Sequence, residues 1–79
     1  MPMKELVEYV VRSLVDHPDE VSVAEVDEGS QMVLELEVAA GDMGRVIGRS
    51  GRVINAIRAL VQVAAARQGK RVSLELIED

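Results

Sequence analysis

Two glycines, Gly48 and Gly51, decide how the second half of this chain runs. They stand between an apolar stop, Val46-Ile47, and the start of an amphipathic helix. Glycine takes backbone angles that other residues avoid, and it lets another molecule's backbone come close. A helix beginning just behind such a turn offers unpaired N–H groups to an anion. Arg49 lies inside the pair and Arg52 follows it directly. Together these residues describe a seat for a phosphate chain. The local pattern alone also describes a plain helix–helix corner, with Gly48 ending one helix and Gly51 beginning the next.

The seat differs from those of nucleotide enzymes. No lysine-serine or lysine-threonine follows the second glycine, and no G-x-G-x-x-G follows a strand, so a mononucleotide pocket is not expected. Net charge −5 first argues against a nucleic acid as well, until the charges are placed along the chain. Residues 1–42 hold eleven acids against Lys4 and Arg12. From Met43 to Leu74 there are seven basic residues, Arg45, Arg49, Arg52, Arg58, Arg67, Lys70 and Arg71, and no acid. Screening at physiological salt acts over ~8 Å, so a phosphate at the surface responds to local charge more than to the total. The chain reads as an acidic body with one basic face, which disfavours promiscuous electrostatic binding.

Periodicity supplies the elements. Met3, Leu6, Val7, Val10, Val11 and Leu14 recur at helical spacing, predicting a helix over about residues 2–15. Asp16-His17-Pro18-Asp19 ends it. Val21–Val26 is β-branched, though its alternation slips near Ala24, and Asp27-Glu28-Gly29-Ser30 is a turn. Met32, Leu34, Leu36 and Val38 then alternate as a half-buried strand, so the two strands form an antiparallel hairpin. Asp42 is placed to cap a short helix over Met43–Ile47, and Ser50 to cap a longer one ending near Gln68-Gly69. On that longer helix Val53, Ile54, Ile57, Leu60, Val61 and Ala64 form the expected core stripe. Val72, Leu74 and Leu76 alternate as a third strand. The order α-β-β-α-α-β predicts an α+β fold with helices on one face of a three-stranded mixed sheet. The second and third strands should lie parallel, through a right-handed crossover.

From Arg45 to Ile54 the run Arg-Val-Ile-Gly-Arg-Ser-Gly-Arg-Val-Ile resembles the signature of the KH domain, a module that binds RNA and single-stranded DNA. In that family a GXXG loop clamps the nucleic-acid backbone. The resemblance continues through Asn55–Val61 to Arg71–Glu75, and the element order matches the type II topology. A single KH domain over residues 1–79 is similar to the small bacterial KhpA (YlqC-like) family of RNA-binding proteins. The resemblance implies that Gly48, Arg49, Ser50 and Gly51 form the clamp, and that Arg49 and Arg52 add charge-assisted contacts. Ile47 and Ile54 would floor the groove for bases or belong to the core. Arg45 and Arg58 would lie near the groove or be solvated surface arginines, and Lys70 and Arg71 would stand on its opposite wall.

It further implies a short single strand read without aromatic stacking, in keeping with Tyr9 as the only aromatic residue. Stacking contributes ~1–3 kcal/mol per base where it occurs, so a lone domain of this kind should bind weakly. Its salt slope should be small, ~0.7 per phosphate neutralised. Joining copies strengthens weak sites. Ala56, Ala59, Val63 and Ala66 recur on the longer helix beside the core stripe, either as surface alanines or as an interface. The resemblance favours the interface, in a homodimer or with a larger KH-containing, KhpB/Jag-like partner. The other reading is a protein-interaction module in which RNA is secondary.

Other chemistry finds little support. His17 and its neighbouring aspartates read as ordinary turn residues, and Glu25, Asp27, Glu28, Glu35 and Glu37 as the solvent face of a hairpin without calcium-loop spacing. No nucleophile–base pair stands out, so an enzyme, a metal site or a cofactor is not expected. The chain has no cysteine, no signal-like N-terminal apolar stretch and no membrane-spanning run. A bacterial cytoplasmic regulator, of post-transcriptional or RNA-chaperone type, is the expectation.

Overall fold

In the computed structural model, which describes residues 2–78, helix α1 covers Met3–Arg12. Met1 and Asp79 of the expected 1–79 domain lie outside the described residues. The helix is shorter than periodicity predicts. Its last turn tightens through Leu14 N–H donating to the Val11 carbonyl, and the Ser13 hydroxyl bonds the Tyr9 carbonyl at 2.8 Å. Val7 and Val11 are its buried residues, whereas Leu14 is exposed.

After a 3-10 turn at Pro18–Glu20, strand β1 (Ser22–Asp27) pairs antiparallel with β2 (Met32–Glu37). The hairpin turn is closed by Gly29 N–H on the Asp27 carboxylate at 2.8 Å, with Gly29 at φ +85. Short helix α2 spans Met43–Ile47 and long helix α3 spans Arg52–Arg67. Strand β3 (Val72–Leu76) returns beside β2 in parallel, giving the sheet order β1-β2-β3. This is the α-β-β-α-α-β order expected, with the mixed sheet and the parallel crossover strand.

One buried cluster joins α1, α3 and the inner face of the sheet. Val7, Val11, Val23, Leu34, Leu36, Ile54, Ile57, Val61 and Leu74 belong to it. The stripe on α3 differs from the one the sequence suggests: Ala65 is buried, while Leu60 is 52% exposed. In a helix rich in alanine the apolar band is wide, and packing rather than spacing selects its centre.

The hairpin acids also divide. By strand alternation Glu35, Glu37 and Glu75 stand on the face away from the helices, Glu35 paired with Glu75. Glu25 and Asp27 share the helix-facing side with Val23, because the apolar pattern changes faces after Ala24. They remain exposed there. Together with Met3, Met32, Lys70 and Arg71 they line an open cleft of about 610 Å3.

Candidate nucleic-acid interface

The acid-free stretch folds into α2, the corner at 48–51, α3 and the beginning of β3. The two glycines of the corner have different roles. Gly48 has φ +74, and a Cβ placed on it would lie 2.5 Å from Val53 Cγ2 and 2.9 Å from the Val53 backbone nitrogen. No other residue fits there without moving the start of α3. Gly51 has φ +75 but open space, its nearest neighbour being Asn55 Nδ2 at 3.5 Å, an ordinary contact. Backbone conformation alone selects glycine at that position.

Ser50 was expected to cap α3, but it does not. It takes a left-handed conformation, φ 57 and ψ 26, and Gly51 becomes the N-cap residue instead. No side chain caps α3, and no acid occupies its first turn. The corner is held by Gly48 N–H on the Gly44 carbonyl at 2.9 Å and Gly51 N–H on the Gly48 carbonyl at 3.2 Å. Arg49, Ser50 and Arg52 are all exposed around it. A positive helix end with no side-chain cap, flanked by two exposed arginines, favours an anion placed against it.

The remaining candidates separate. Ile54 is buried in the core, while Ile47 is half-buried and stands apart from that cluster. Of the two, Ile47 is the one partly open to solvent. Arg45 lies 3.4 Å from Asp16, in an ion pair with both side chains well exposed. Such a pair is weak and exchanges readily for another anion.

Arg58 is half-buried and held by the chain rather than loose. Its Nε donates to the Leu74 carbonyl at 3.2 Å and its guanidinium reaches Asn55 Oδ1 at 3.5 Å. The reason lies in the parallel ladder. The Arg71 carbonyl accepts from Met32 N–H, and Ile77 N–H donates to the Leu36 carbonyl, so the alternate residues Val72, Leu74 and Leu76 turn their backbone groups away from β2. A strip of strand edge therefore faces out beside α3, and Arg58 occupies one acceptor on it.

Lys70 and Arg71 lie at the other end of α3 from the glycine corner. Sixteen residues separate the ends, or roughly 24 Å at ~1.5 Å per residue. They border the cleft that Glu25 and Asp27 also line, so their charge is partly offset there. Ala56, Ala59, Val63 and Ala66 are all exposed, Val63 at 61%, and Leu60 joins them.

Local reading also missed a residue. Asp42 was expected to cap α2 but makes no cap bond. It is 1% exposed, and its carboxylate accepts the backbone N–H groups of Asp16 and His17 at 3.1 and 3.0 Å and lies 3.1 Å from His17 Nδ1. His17 is thus engaged rather than an idle turn residue. No pattern of neighbours signals a contact made 25 residues away. Among the described residues no group of three or more His, Cys, Asp or Glu side chains is placed to hold a metal ion, and no helix is long and apolar enough to cross a membrane.

A family model described as the KhpA/KhpB KH domain matches residues 4–76. The chain is 51% identical over 75 residues to the RNA-binding protein KhpA of Clostridium acetobutylicum, covering 95% of this chain and 100% of that one. It is 49% identical over 76 residues to the RNA-binding protein KhpA of Halalkalibacterium halodurans, covering 96% and 100%. The protein of the same name in Chlamydia muridarum is 47% identical over 77 residues, covering 98% and 99%. Among solved structures, a variant of Aquifex aeolicus Era bound to GDP.AlF4- superimposes with a TM-score of 0.55 at 21% identity, over 96% of this chain and 31% of that one. At that identity, and over about a third of the larger protein, the likeness is one of fold.

Proposed function

The chain belongs to the KhpA/KhpB KH-domain family, and from that premise we propose that it binds short single-stranded RNA at the corner formed by Gly48, Arg49, Ser50 and Gly51. The observation that carries this reading is the start of α3 behind Gly48, which no side chain caps, with Arg49 and Arg52 exposed on either side. The phosphates lie against the loop and the first turn of α3. Arg49 and Arg52 add charge-assisted hydrogen bonds. Arg45 exchanges Asp16 for a phosphate, and Ile47 lies under the bases. Ile54 supports the loop from the core rather than touching RNA. The family is not one of enzymes, and the protein acts as a bacterial cytoplasmic RNA-binding regulator of post-transcriptional or RNA-chaperone type. Single-stranded DNA is the competing ligand, since the contacts named are to phosphate and not to the 2′-hydroxyl.

The double variant Arg49→Asp/Ser50→Asp tests this. Both side chains are exposed, and aspartate tolerates the left-handed conformation at position 50. Fluorescence anisotropy with an unstructured oligoribonucleotide should show binding lost, with circular dichroism unchanged. Undiminished affinity in a folded double variant overturns the proposal.

The exposed apolar face of α3 supports a second role, self-association or pairing with a larger KH-containing, KhpB-type protein. Leu60 and Val63 are large apolar side chains left in water beside Ala56, Ala59 and Ala66. Val63→Asp should give a monomer by sedimentation and weaken RNA binding only through lost avidity. A variant that keeps the mass of the parent and still captures its partner removes that interface.

A further inference from the structure

The connection after α1 and the start of α2 are joined by a buried carboxylate. Asp42 accepts two backbone N–H groups and approaches the His17 ring, all from partners 25 or 26 residues away in the chain. A buried charge is tolerated only when its oxygens are satisfied, so these bonds fix both the Asp42 side chain and the path of the 16–17 turn. Arg45, one turn further on, pairs with Asp16 of the same turn.

The helix that begins directly after Asp42 depends on this tether. Helix α2 has five residues, well below the ~12–15 at which a helix begins to hold itself in water. Its placement is set by what grips it: fully buried Val46 near its end and the Asp42 tether at its start. Gly48 comes directly after it. We propose that Asp42 is a positioning residue for the phosphate clamp, setting where Gly48–Gly51 and the start of α3 stand against the rest of the molecule. The proposal rests on the reading of that corner as the RNA-binding element.

One half of the tether is a histidine whose protonation the tether itself favours. The hydrogen bond to Asp42 and then its charge, with Glu20 and Asp16 adding less, hold the His17 pKa above its ordinary 6.5, against a smaller effect of burial. For Asp42, burial pushes the carboxyl upward, yet the bonds from Asp16 N–H and from the ring and N–H of His17 outweigh it and leave the pKa below its ordinary value. Arg45 is the cation facing this group from α2, through Asp16. A raised histidine gives its contribution in full below 6.5 and loses it as pH rises through the raised value. The depressed carboxylate gives its contribution above its ordinary value and loses it as pH falls through the lowered one. The ring's share of the tether is therefore full between the two, in mildly acidic solution, and declines toward alkaline pH, while the two backbone N–H bonds to Asp42 remain.

The test compares the full chain with its Asp42→Asn and His17→Gln variants. Each is titrated with a fluorescein-labelled unstructured oligoribonucleotide across mildly acidic to mildly alkaline pH, and backbone amide NMR spectra of the free proteins are recorded in parallel. In the parent protein, affinity should fall as pH rises, and the Gly48 and Gly51 amide signals should move along the His17 titration. His17→Gln should abolish both pH dependences. Asp42→Asn should weaken binding about tenfold, as when the competent corner is populated about one-tenth of the time. It should displace the Gly48 and Gly51 amides in the free protein while the amides of core residues Val7 and Leu36 stay in place. Unmoved Gly48 and Gly51 signals in folded Asp42→Asn overturn the proposal. If Asp42→Asn does not fold, glycine signals that ignore the His17 titration in the parent overturn it instead. A parent protein that binds no RNA removes the clamp reading, while the glycine signals still decide whether Asp42 positions the corner.

Discussion

The two ends of α3 are built on opposite principles. At the C-terminal end Gly69, at φ +67, lets the chain close on itself: its N–H donates to the Ala66 carbonyl at 3.1 Å and the Lys70 N–H to the Ala65 carbonyl at 2.9 Å. Those two bonds form a Schellman closure that satisfies carbonyls otherwise left free. Arg67 in the last turn complements the negative end of the helix dipole. At the N-terminal end only the tight 3-10 turn closes the chain, Gly51 N–H on the Gly48 carbonyl and Arg52 N–H on that of Arg49; there is no side-chain cap, no acid in the first turn, and arginine at its first position. Helix stability alone favours a serine or aspartate cap and a glutamate in that turn. One end is finished by the chain itself. The other carries no side-chain cap, as the proposed phosphate seat requires.

The sharpest way to break this comparison is to fill the tight glycine. Gly48→Ala combines a left-handed backbone with a Cβ 2.5 Å from Val53 Cγ2. It should cost about 2–4 kcal/mol of stability, strain plus overlap, in a denaturant titration, and should abolish RNA binding. An alanine accepted at position 48 without loss means that the corner relaxes and does not constrain α3. Gly69→Ala is the control at the finished end. Its Cβ meets nothing within 4 Å, so only the left-handed conformation is penalised, by about 1 kcal/mol. RNA affinity should not change. Arg52→Glu gives the smallest stability effect and separates the two principles by sign. An acid in the first turn should raise stability by about 0.3–1 kcal/mol at low salt, while anisotropy shows weaker RNA binding. If thermal melting and affinity move in the same direction, the open end is not maintained for a ligand.

Much of this was legible in the sequence, because the decisive signals are local. Strand alternation, the apolar stripe around Ile54, Ile57 and Val61, and the breaks at Pro18, Gly29 and Gly69 each act within a few residues, and the element order comes from them. The same applies to the glycine corner and to the segregation of Arg49 and Arg52 from the acids, whereas the pairing of Arg45 with Asp16 is a product of the fold. What escaped was non-local or degenerate. An aspartate before a helix reads as a cap, and only the folded chain reveals that the Asp42 oxygens are already taken by residues 16 and 17. Ser50 has the right chemistry for a cap but the wrong backbone angle, which sequence does not encode outside glycine. Leu60 and Ala65 exchange burial because an alanine-rich helix can be rotated at little cost in buried area. Glu25 and Asp27 changed faces because the β1 pattern slips after Ala24.

The parallel pairing of β2 with β3 has a consequence for how the protein comes into being. Met32 lies opposite Val72 and Leu36 opposite Leu76, with both later helices threaded between them. Contacts so distant along the chain close late and set the pace of folding. During synthesis the hairpin and α1 are available early, and α3 is complete before the strand that supports it exists. Until β3 arrives, the Leu34 and Leu36 row has an unpaired edge, an invitation to association with other nascent chains. Once β3 is in place the open edge is its own, and there Arg58 already occupies the Leu74 carbonyl.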